Sequence, residues 1–229
     1  GHVSHFYLIS GPEGSGKHTL ARLLAAAILC QGDDKPCGRC TPCRKVMDGS
    51  HPDFITVDDP EKKTVPVDLI RQARADMYIQ PNESDHKIYL FPRAQDMGLP
   101  GQNALLKVLE EPPAYVIFIL ATTELQKIPV TILSRCQRYD FKRISIETIA
   151  DRMKELTDEE GVEVEKRALQ YIAKTADGSM RDGLSLLDQC IAFHFGSKLT
   201  YDMVLDVLGA VDTQVFSRLL HYILERDVP

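Results

Sequence analysis

The chain has 229 residues, 44% of them apolar and 26% charged, with a formal net charge of −6 at pH 7. This is the composition of an ordinary globular protein with room for one large or two smaller domains. No apolar run approaches the ~18 residues that cross a bilayer, the start does not resemble a signal peptide, and the acidic balance argues against coating nucleic acid by bulk charge.

The first strand, over about 3–9, is almost entirely apolar, as a central parallel strand covered on both faces must be. It leads into Gly11-Pro12-Glu13-Gly14-Ser15-Gly16-Lys17-His18-Thr19 and then a helix to about Cys30, with Leu20, Leu23, Leu24, Ala27 and Ile28 on one face. A strand, a glycine-rich turn and a helix N-terminus together cradle phosphate, because the backbone N–H groups converge on the anion and the helix dipole adds positive potential. The spacing matches G-x-x-x-x-G-K-[ST] except at the last position, where His18 replaces the hydroxyl that would ligand Mg²⁺. Thr19 stands about 100° further round the helix. The loop can hold phosphate, but its metal position is damaged.

Four of the six cysteines follow as Cys30-x6-Cys37-x2-Cys40-x2-Cys43, in a polar stretch rich in Gly, Pro, Asp and Lys. Four thiolates at this spacing close tetrahedrally around Zn²⁺, and four protein ligands leave no open position, so the expected role is structural. The pattern fits a reducing compartment better than a disulfide scaffold. Cys30 stands furthest from the others. His51, in Ser50-His51-Pro52-Asp53, is expected to be a hydrogen-bonded turn histidine rather than a further ligand.

A short strand over Phe54–Val57, a loop over 58–64 and a helix over 67–78 precede the apolar strand Lys87–Phe91. In P-loop nucleotidases an acidic residue at this strand's end holds Mg²⁺, and a neighbour polarises the attacking water. Here the strand runs into Pro92 and Arg93, with Asp96 several residues on. Two metal-site positions are therefore missing, which argues against ordinary hydrolysis. Arg93 either pairs with phosphate oxygens or points to solvent. A helix through Gln102–Glu111 is stopped by Pro112-Pro113. The apolar strand Ala114–Ala121 ends in Thr122-Thr123-Glu124, where hydroxyls either face a ligand at the sheet's C-terminal edge or cap the next segment. A short helix over 128–136 carries Ser134-Arg135-Cys136 and leads into a strand over 137–141. Beyond Ile144 the pattern is helical only, with helices over about 145–160, 163–176, 180–195, 200–209 and 212–225, the last having almost nothing after it to pack on.

Taken in order, Cys-x2-Cys-x2-Cys, His-Pro-Asp, Asn-Ala-Leu-Leu-Lys-x-Leu-Glu-Glu-Pro-Pro, Ala-Thr-Thr-Glu, Ile-Leu-Ser-Arg-Cys-Gln and Gly-Ser-Met-Arg-Asp resemble the AAA+ subunits of the bacterial DNA polymerase III clamp loader, the gamma/tau and delta-prime pair. The resemblance runs from about Val3 to Leu208. It implies an α/β AAA+ domain over 1–142 with a parallel sheet and a zinc module at about 30–43. A small all-helical lid over 143–209 follows, and then the start of a mostly absent collar domain over 210–229. It further implies a cytoplasmic subunit of a hetero-oligomeric ring that is part of a polymerase holoenzyme and uses ATP to place a sliding clamp on primed DNA.

Residue by residue, Gly11, Gly14, Ser15, Gly16, Lys17, His18 and Thr19 fall on the phosphate loop, Thr122 and Thr123 on the first sensor, and Arg181 on the second. Cys30, Cys37, Cys40 and Cys43 fall on the zinc module, and Arg135 on the arginine finger that acts in trans on a neighbour's ATP site. The lid signature is gamma/tau-like, while His18, Pro92 and Arg93 depart from the family pattern. The expected chain is thus a gamma/tau-like subunit that no longer hydrolyses ATP, binding ATP or ADP without Mg²⁺ if it binds nucleotide. The alternative is an active ATPase that recruits a carboxylate from Asp96 or Glu124.

Overall fold

The computed structural model describes residues 3–193 and 196–209. The helix expected over 212–225 lies outside the described residues. The chain divides into two compact units, 1–142 and 143–229.

The first unit is built on five parallel strands: β1 (Phe6–Ser10), β2 (Phe54–Thr56), β3 (Lys87–Phe91), β4 (Val116–Thr122) and β5 (Gln137–Asp140), in the order β2-β3-β4-β1-β5. β1, β3 and β4 are buried along their whole length, as their apolar runs require. Successive side chains alternate between the faces. Phe6, Leu8, Tyr89, Phe91, Phe118 and Leu120 pack on one side with Ile70 of α3 (Val67–Asp76) and Leu105 of α4 (Leu99–Glu110). Tyr7, Ile9, Ile88, Leu90, Ile117 and Ile119 pack on the other with Ala21, Ala25 and Leu29 of α1 (Lys17–Leu29). Alanines at 21, 25 and 26 let α1 lie close to the sheet. β5 is exposed throughout and closes one edge.

Several boundaries move. The cysteine stretch contains a helix, α2 (Thr41–Asp48), which the polar composition concealed; Pro42 occupies its first turn and Gly49 ends it with a left-handed φ of 74°. α4 begins at Leu99 rather than Gln102, because Pro100 in a first turn has no N–H to lose. α3 stops at Asp76, and β4 starts at Val116, after Ala114 and Tyr115. The short helix α5 (Val130–Leu133) precedes β5.

The second unit is four helices, α6 (Ile146–Glu159), α7 (Lys166–Thr175), α8 (Met180–Phe193) and α9 (Tyr201–Leu208), among the described residues. Ser145 and Thr200 accept the N–H groups of Thr148 and Met203 and so cap α6 and α9. Ile149, Met153, Leu169, Ile172, Leu187 and Val204 form its core. Among the described residues no helix is long and apolar enough to cross a membrane.

Candidate functional site

The glycine-rich loop lies between the buried end of β1 and the start of α1. Gly11, Gly14 and Gly16 all have positive φ, at 153°, 69° and 88°. At Gly11 a side chain is excluded twice, by that φ and by Phe141, whose Cβ would lie 2.6 Å from an added Cβ. The Gly11 N–H donates to the Thr122 carbonyl at 3.2 Å and ties the loop to the end of β4. Lys17 is only 6% exposed; its Nζ donates to the Pro12 carbonyl at 2.5 Å, and burial lowers its pKa against the opposing pull of Glu13. Ser15 is 8% exposed, and its Oγ is buried with no hydrogen-bond partner among the described residues. A buried hydroxyl left unpaired costs about 1–3 kcal/mol, so the loop carries an unmet polar demand.

His18 and Pro92, the two departures at the metal position, meet each other. His18 Nε2 lies 3.0 Å from the Pro92 carbonyl oxygen, a hydrogen bond in which the Nε2–H tautomer donates. Where a hydroxyl and a carboxylate would converge on Mg²⁺, an imidazole is bonded to a peptide carbonyl. An imidazole nitrogen and one carbonyl already bonded to it are a poor donor set for Mg²⁺, a hard octahedral cation that takes oxygen ligands.

Arg93 follows neither expected alternative. Its guanidinium turns back on the loop after β2, 2.7 Å from Asp58 Oδ1, and also donates to the carbonyls of Asp59 and Lys62 at 2.9 and 3.0 Å. Asp96 stands 3.6 Å from its Nη1. The Asp58 carboxylate raises the Arg93 pKa further against burial. A bidentate pair plus two carbonyls holds the planar fork better than solvent would. Asp96 is engaged by Arg93, and Glu124 pairs with Lys127 at 2.6 Å, so both carboxylates that an active metal site would recruit have partners.

Thr122 is fully buried, and its Oγ1 accepts the Glu124 N–H at 3.1 Å, so it caps the turn after β4. Thr123 is exposed, and its N–H donates to Gln95 Oε1 at 3.3 Å. Thr19 is exposed on α1. Arg135 is exposed just beyond α5; it donates to the Thr131 carbonyl at 2.7 Å, and no acid pairs with it among the described residues. Arg181 is exposed in the first turn of α8, in the second unit.

The four cysteines converge as the spacing requires. Cys30, Cys37, Cys40 and Cys43 place their sulfurs within 4.8 Å of one another, and Cys30 belongs to the group despite its distance in sequence. Tetrahedral Zn–S bonds separate sulfurs by about 3.8 Å; Cys30 and Cys40 stand 3.9 Å apart. N–H groups of Gly32 and Cys37 donate to the Cys30 sulfur at 3.3 and 3.5 Å, and that of Cys40 to Cys37 at 3.4 Å. Such bonds favour thiolate: N–H groups of Cys37 and Gly32 lower Cys30, and those of Cys43 and Gln31 bring Cys40 to about 6. Burial pushes Cys43 up to about 12, so metal binding there must expel a proton. The cluster fits zinc, and burial of Cys30 and Cys43 beside Phe54 and Ile88 anchors it to the sheet.

His51 is buried, its Nδ1 accepting the Asp53 N–H at 3.1 Å, and it lies outside the cysteine cluster. Asp53 went unassigned at the sequence level. Its carboxylate takes the N–H groups of Asn82, Glu83 and Ser84 at 2.6–3.0 Å. Only the His-Pro-Asp turn preceding a strand hinted at such a role.

Comparison with known proteins gives a consistent picture. Residues 1–145 match the family described as DNA polymerase III, delta subunit, and residues 148–196 match the DNA polymerase III clamp loader subunit, ATPase lid domain. DNA polymerase III subunit tau of Bacillus subtilis is 43% identical over 227 residues, which are 98% of this chain and 40% of that protein. The Escherichia coli tau subunit is 40% identical over 214 residues, 93% of this chain and 33% of that one. Subunit gamma of Buchnera aphidicola subsp. Schizaphis graminum is 36% identical over 230 residues, 99% of this chain and 62% of the relative. The chain thus spans less than two thirds of each. Among solved structures, the RuvB Holliday junction branch migration motor of Thermotoga maritima matches with a TM-score of 0.57 at 16% identity, over 90% of this chain and 61% of that one. At that identity the likeness is one of fold, the P-loop AAA+ fold.

Proposed function

Because the chain belongs to the DNA polymerase III clamp-loader subunit family, we propose that it is a ring subunit whose own phosphate loop does not hydrolyse ATP and whose Arg135 serves a neighbour's site. The ring is a hetero-oligomer of clamp-loader subunits in the cytoplasm that places a sliding clamp on primed DNA. Residues 1–142 are its nucleotide-type domain, 143–209 its lid and 210–229 the beginning of a collar.

The observation that carries this reading is the hydrogen bond from His18 Nε2 to the Pro92 carbonyl, which closes the metal position. With Arg93 withdrawn onto Asp58, the two positions of the family's acidic motif, Pro92 and Arg93, offer no carboxylate to hold Mg²⁺ or polarise water. Gly11, Gly14, Ser15, Gly16 and Lys17 hold the phosphates of ATP or ADP without Mg²⁺, with Thr122, Thr123 and Arg181 as sensors. Arg135 supports the role in trans because it is exposed and, among the described residues, donates to the Thr131 carbonyl alone, leaving donors for a partner's γ-phosphate. Zinc in the four-cysteine site is structural.

The purified chain tests the reading. It is expected to turn over ATP no faster in Mg²⁺ than in EDTA, while still entering a complex with an active clamp-loader partner. Mg²⁺-dependent turnover abolished by Lys17→Ala would overturn it in favour of an active ATPase.

A further inference from the structure

We infer that His18 decides which ligand the phosphate loop takes, making it a receptor for a polyphosphate group without a divalent cation. The inference rests on reading Gly11–Thr19 as a phosphate loop and names the ligand form that this loop accepts. Two independent observations meet here.

The first concerns demand for an anion. Ser15 Oγ, in a residue 92% buried, has no partner among the described residues, while Lys17 has folded its ammonium onto the Pro12 carbonyl of the same loop. A phosphate oxygen supplies an acceptor to both, in a loop whose Gly14 and Gly16 take positive φ at the N-terminus of α1.

The second concerns the cation. A magnesium–nucleotide complex brings a hydrated octahedral ion that needs oxygen ligands on the loop's helix and at the end of β3. Those two positions are His18 and Pro92, joined at 3.0 Å. Admitting the ion means breaking this bond and replacing it with one carbonyl oxygen and one imidazole nitrogen, a poor donor set for Mg²⁺. Arg93 cannot supply the missing oxygen, and its cation repels a second one. The free nucleotide keeps the His18–Pro92 bond and forgoes nothing. Magnesium in solution therefore competes with the loop for the diphosphate instead of helping it bind.

Calorimetric titration of the chain with ADP, in excess EDTA and then in excess Mg²⁺, tests this. The expected result is binding in EDTA that is abolished by Lys17→Ala and weakens in Mg²⁺. The paired variant His18→Thr with Pro92→Asp restores a hydroxyl and a carboxylate, and is expected to bind about tenfold tighter in Mg²⁺ than in EDTA. Wild-type binding that tightens about tenfold with Mg²⁺, binding unaffected by Lys17→Ala, or no binding in either medium would each overturn the inference. None of the three touches membership of the clamp-loader family or the role of Arg135 in trans, which assembly and the Arg135→Ala comparison test separately. If the paired variant fails to fold, the wild-type comparison in the two media still decides.

Discussion

At residue 53 a carboxylate with no exposure to solvent accepts three consecutive N–H groups, those of Asn82, Glu83 and Ser84. Burial alone would raise its pKa, but the N–H bonds outweigh burial and hold it below the usual carboxylate value. The folded-state pKa is thus depressed, so Asp53 contributes stability that is present above the unfolded value of about 4 and lost as pH falls through the lower folded value. Asp53→Asn keeps the shape but sets an amide among N–H donors. It should cost about 3 kcal/mol in thermal or urea unfolding at neutral pH and flatten the acid limb of the stability curve. Gly11→Ala meets both a positive φ and the Phe141 backbone, so a loss of about 2–4 kcal/mol is expected by the same measurement. Of these two positions, the glycine was legible in the sequence because a P-loop demands it. Asp53 was not, because its partners lie about thirty residues away on a loop of no distinctive composition. Arg93 was misjudged for a similar reason: its partner Asp58 stands thirty-five residues earlier, and only folding brings them together.

At the scale of elements, the buried strands and amphipathic helices were legible because apolar periodicity directly records which face is covered. The element that escaped was α2, whose eight residues are largely polar and whose Cys43 and Val46 are its only buried apolar side chains besides Pro42. Such a helix is too short to form alone, and packing on α1 and the sheet holds it in place. The cysteine cluster pins its start. Removing zinc with a chelator, or substituting Cys40→Ser, should therefore lower the melting temperature of the first unit and expose α2 to hydrogen exchange, while the helical second unit melts unchanged. The same geometry predicts one zinc ion per chain, released on acidification as protons reclaim the sulfurs. A chain that binds no zinc, or whose first unit melts alike with and without it, would contradict a structural role.

For the whole molecule, the motifs together identified the clamp-loader family where the phosphate loop alone would not have done so. The sequence sets His18 and Pro92 where the family motif has a hydroxyl and a carboxylate, but gave no sign that the two meet; the bond between them joins residues seventy-four apart. On the proposed reading, that bond joins the two departures in one place, and Arg135 is the residue that would act on a neighbour's site. The most direct measurement of this account is ATP hydrolysis by a clamp-loader complex in which the only active site adjoins this subunit, compared with the same complex carrying Arg135→Ala. Loss of an arginine finger is expected to slow that site by about 10³-fold or more, with assembly unchanged and no rescue by Arg135→Lys. Hydrolysis by the Arg135→Ala complex at the wild-type rate would contradict it.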